Sequence, residues 1–136
     1  RLDLADHPQD LANLAPRTVS AVPSLHQQRG GGVAPVLEED IALANTALDL
    51  IGQTQLWLGL AGEVEGKGRD ADKLAYHRDV WDFRNVLLVE QPNGDFGQTM
   101  MRQFLFDAWH LLQLKALMGS SNAQVAAIAE KSSKEV

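Results

Sequence analysis

The chain has 136 residues, 45% hydrophobic and 22% charged, a globular composition with no apolar run long enough to cross a bilayer. Its 12 Lys or Arg against 18 Asp or Glu leave a net charge of -6, and an acidic chain offers no basic face to nucleic acid. The lack of cysteine excludes a disulfide framework, a zinc knuckle and a thiolate nucleophile; with no signal-peptide pattern at the start, it predicts a cytoplasmic protein.

Residues 1–32 differ from the rest of the chain. Pro8, Pro16 and Pro23 recur too often for a long helix, no period-2 alternation persists, and the stretch ends in three glycines. Its acids and bases cancel, so the negative balance belongs to residues 33–136. This predicts an irregular leader before one helical domain. The sequence begins at Arg1 and stops at "KSSKEV" inside a helical pattern, so a fragment is expected.

From Pro35 a long helix over 36–61 is predicted, with Glu38, Glu39 and Asp40 where the helix dipole favours acids and Gly62 at the stop. Ile41, Ala44, Leu48, Ile51 and Leu58 form one apolar seam; Leu43, Ala47, Leu50, Trp57 and Ala61 form another. Two seams imply a helix buried on most sides. Asn45, Asp49 and Gln53 make a narrow polar stripe beside them, which is either a wet or hydrogen-bonded strip or a place for a helix-borne metal carboxylate.

Residues 63–73 mix glycine with both charge signs and read as a solvated loop. Gly66-Lys67 is not a phosphate loop, because a helix precedes it and Gly68 stands where Ser or Thr is needed. One helix, or two with a break, is predicted over 71–91, with Leu74, Trp81, Val86 and Val89 available for packing. "VLLV" has no partner strand, so helix is preferred there. "QPNGD" is a turn, and Asp95 with Gln98 three residues on forms a variant capping box opening a helix over 96–118. The predicted seam of that helix runs Met100, Phe104, Asp107, Leu111, Leu114, Met118. After "GSSN", where a serine or asparagine is the cap, residues 123–136 read as a further helix. Helical segments joined by short turns, without strands, predict an all-α antiparallel bundle.

The chemistry concentrates in "FDAWHLL". Asp107 and His110, three apart on a helix, point to one side as the Glu-x-x-His pairs of di-iron carboxylate bundles do. A carboxylate in the seam needs a partner, for which His110, Asn45, Asp49, Arg84 and Arg102 are candidates. The ligand count falls short: Asp49, Glu90 and one Asp-x-x-His are offered, while His7 and His26 lie in the leader and His77 has no acid three residues away. No nucleophile elbow, His-Glu-x-x-His or dinucleotide fingerprint occurs, and Trp57, Trp81, Trp109, Phe104 and Phe106 read as core or interface residues.

"APVLEEDIALANTALDLIGQ", "DFRNVLLVEQPNGDFGQT" and "RQFLFDAWHLL" together resemble the C-subunit family of ring-1,2-phenylacetyl-CoA epoxidases, multicomponent bacterial monooxygenases of aerobic phenylacetate breakdown. The likeness runs from Val33 to Val136, which marks 1–32 as an aberrant or unrelated leader. The resemblance implies an incomplete ferritin-like bundle, comprising the N-terminal part of the family fold. It further implies a noncatalytic structural subunit with no cofactor of its own, binding and stabilising a catalytic A subunit that carries the di-iron centre and is served by a separate flavin and iron-sulfur reductase. Asp49, Asp107 and His110 would then be vestiges of a metal site. The alternatives are a di-iron oxygenase in its own right and a nonfunctional fragment.

Overall fold

The structure, a computed structural model, describes residues 37–82, 84–92 and 95–136, with the side chains of all but 40 and 80. In order these form α1 (Leu37–Glu65), α2 (Ala71–Tyr76), a 3₁₀ turn (Val80–Asp82), α3 (Phe96–Leu117) and α4 (Ala123–Ser132), with no strand among the described residues. Helix α1 packs on α2, α3 packs on α4, and α4 returns to α1. The fold is all-α, as the sequence implies. The expected leader and the Asn93-Gly94 centre of the "QPNGD" turn lie outside the described residues.

Local side-chain chemistry sets most helix ends. Asp70 caps α2 by accepting from the Lys73 N–H at 2.8 Å, and Asp95 caps α3 by accepting from the Gln98 N–H at 2.8 Å, as its spacing predicts. At α4 the cap is the asparagine of "GSSN": Asn122 Oδ1 accepts from the N–H groups of Gln124 and Val125 at 2.9 and 3.2 Å.

Helix α1 stops one turn later than expected. Gly66, at φ 67°, takes the left-handed conformation that ends a helix, and its N–H donates to the Gly62 carbonyl at 3.2 Å. Gly62 itself is inside the helix for a different reason. The Arg69 carbonyl oxygen crosses where a Cβ would stand, so only glycine lets the 66–70 loop fold back against the helix. Arg69 then donates through Nε and Nη2 to Glu65, and this hydrogen-bonded fork holds the Glu65 carboxyl below the ordinary range.

The largest departure is at 71–91, where the predicted helix survives only as the six residues of α2. Two aspartates divert the backbone: Asp79 accepts from the Trp81 N–H and Asp82 accepts from the Asp79 N–H, each at 3.1 Å. This reciprocal cap closes a 3₁₀ turn, and short polar side chains of this kind compete with helical hydrogen bonding. "VLLV" becomes neither strand nor helix. Val89 donates to the Val86 carbonyl at 3.0 Å and Glu90 to that of Leu87 at 3.2 Å, giving consecutive turns. Leu74 and Val89 are buried as expected, whereas Trp81 is 88% exposed.

The core lies at the C-terminal half of α1, where Trp57, Leu58, Leu60 and Ala61 pack with Leu74 of α2, Leu114 and Leu117 of α3, and Val125 and Ala129 of α4. Of the two predicted seams of α1, the one carrying Leu43, Leu50, Trp57 and Ala61 is inside. The other is outside: Ile41, Ala44, Leu48 and Ile51 are exposed, and only Leu58 reaches the core. The inner face of α3 is also rotated from the predicted one. Thr99, Phe106, His110, Leu114 and Leu117 are buried; Met100, Phe104 and Met118 are exposed, and Asp107 and Leu111 sit at the edges.

Two glycines of one helix therefore differ in sign. Gly59 has nothing within 4 Å of an added Cβ, so Gly59→Ala is expected to stabilise the chain by about 0.5–1 kcal/mol. Gly62→Ala, which must push the Arg69 backbone away, is expected to cost about 1–3 kcal/mol. Urea unfolding of the two variants beside the parent checks both signs.

Candidate functional site

Helices α1 and α3 meet through a polar contact. Gln53 and His110 are only 1% and 2% exposed, and Gln53 Oε1 faces His110 Nε2 at 3.2 Å. The amide oxygen accepts in this pairing when the imidazole carries its proton on Nε2. The ring lies flat against Phe106, with centroids 5.3 Å apart and planes at 20°, and Trp109 tilts toward it at 6.2 Å. Phe106, Trp109 and His110 thus form one aromatic group on the last three turns of α3, with the phenyl and indole rings 5.8 Å apart.

The local sequence explains the placement. Gln53 falls between Leu50 and Trp57 of the buried seam, three residues after one and four before the other, so α1 carries it inward with them. The rest of the stripe, one and two turns earlier along nearly the same face, is not covered: Asn45 and Asp49 are exposed. The stripe is therefore buried at Gln53 and exposed at its other two members. Asp49 is exposed where His110 is buried.

Asp107 is half-buried, and its partner is on its own helix: Gln103 Nε2 donates to Oδ1 at 2.7 Å. Loss of water raises its carboxyl above the ordinary carboxylate range, opposed by the Gln103 hydrogen bond. Of the other candidate partners, Arg84 is exposed and Arg102 donates to the Gln91 carbonyl at 3.0 Å. Glu90 and His77 are exposed as well.

A di-iron centre needs carboxylates and imidazoles converging from several helices. Among the described residues no three His, Cys, Asp or Glu side chains do so, and the group that faces His110 from α1 is a neutral amide. The donor set on these helices does not fit such a centre. Sequence reasoning named His110 but missed Gln53 as its partner. The signal was available in the spacing of Gln53 from Leu50 and Trp57.

The described residues define an all-α protein with a buried polar pair between two of its helices, and comparison with known proteins identifies the family. Residues 21–136 match the family described as Phenylacetic acid catabolic protein, and the chain belongs to it. The match begins twelve residues before Val33, inside the stretch read as leader. The C subunit of 1,2-phenylacetyl-CoA epoxidase from Escherichia coli (strain K12) is 52% identical over 104 residues, covering 76% of this chain. The chain spans 42% of the length of that curated relative. No helix among the described residues is long and apolar enough to cross a membrane.

His110→Phe keeps the stack on Phe106 but strands the Gln53 oxygen, and is expected to cost about 1–3 kcal/mol; adding Gln53→Leu should recover much of that loss, visible as a non-additive double-mutant cycle in urea. Asp107 titrates above its unfolded value, so its favourable contribution is present at acid pH and is lost as pH rises through the raised folded value. Asp107→Asn keeps the acceptor for Gln103 and should raise the melting temperature at neutral pH while leaving it unchanged in acid below the carboxylate range.

Proposed function

We propose that this chain acts as a noncatalytic structural subunit of a phenylacetyl-CoA epoxidase, binding and stabilising a di-iron catalytic A subunit in aerobic phenylacetate catabolism. The observation that carries the reading is the 52% identity to a protein named as the C subunit of that enzyme. The donor set supports the noncatalytic part. Asp49 is exposed, Asp107 bonds along its own helix, and a glutamine amide stands opposite the histidine. In this reading the oxidation takes place on the partner, where the iron is held and the reductase delivers electrons, and the present chain contributes packed helix surface. Asp107 and His110 act within that surface as structural groups: the histidine fixes α3 against α1, and the aspartate is tied to Gln103.

The test is co-purification of the chain with a tagged A subunit, followed by size-exclusion chromatography and iron analysis. Co-elution, with iron following the A subunit and absent from the separated chain, is the expected outcome. Elution of the chain alone would overturn the subunit role, and stoichiometric iron on the isolated chain that disappears in His110→Ala would overturn its noncatalytic character.

A further inference from the structure

We draw no further inference here: the strongest candidate, the outer apolar seam of α1 at Leu37, Ile41, Leu48 and Ile51, is exposed in a chain that spans 42% of the length of its curated relative, and nothing in the structure shows what covers it.

Discussion

The packing of every helix depends on the C-terminal half of α1, where Trp57, Leu58 and Ala61 are enclosed by residues of α2, α3 and α4. Helix α2 is too short to be stable alone, and α4 spans only ten residues, so each is helical because it has this surface to cover. The return of the loop over Gly62 belongs to the same constraint. It places α2 against the helix it has just left and brings Leu74 into the cluster. Among the described residues the N-terminal half of α1 is covered on one face only, with Leu43 and Leu50 buried and Ile41 and Leu48 exposed.

Against that apolar cluster, the contact of Gln53 with His110 has a different function. It adds little net attraction, because both groups give up water to make it. Its effect is selective: a slip of either helix by one residue would bury an unpaired amide and an unpaired imidazole, so the polar pair excludes registers that hydrophobic packing alone would tolerate. The aromatic group of Phe106, Trp109 and His110 reinforces this by limiting how the ring can turn. The buried histidine is here a matter of alignment.

The helices were legible in the sequence wherever a side chain writes its own boundary. Asp95 with Gln98, and Asn122 after the two serines, fixed the starts of α3 and α4 through local hydrogen bonds that need no tertiary context. The inner face was not legible in the same way. Helix α1 offers two apolar seams of equal quality, and only the position of its neighbours decides that Leu43, Leu50 and Trp57 go in while Ile41 and Leu48 stay out. On α3 the abundance of apolar residues hid the inner face, since Phe104 and Phe106 are equally hydrophobic and only one is covered. The 71–91 helix failed for a local reason that periodicity overlooks, the carboxylates of Asp79 and Asp82 taking backbone N–H groups for themselves. For the site, the histidine was legible from its chemistry and its partner only from its spacing to Leu50 and Trp57, because a glutamine carries no catalytic signature.

The three tryptophans of the chain happen to sample three degrees of enclosure: Trp57 is sealed in the core, Trp109 lies partly uncovered beside His110, and Trp81 stands in solvent on the 3₁₀ turn. Indole emission moves to longer wavelength as its surroundings become more polar, so the native spectrum must be a composite with a blue component from Trp57 and a red one from Trp81. Selective quenching by a water-soluble agent would strip away the red part first. What remains would be an intrinsic optical report on the one region that all four helices share.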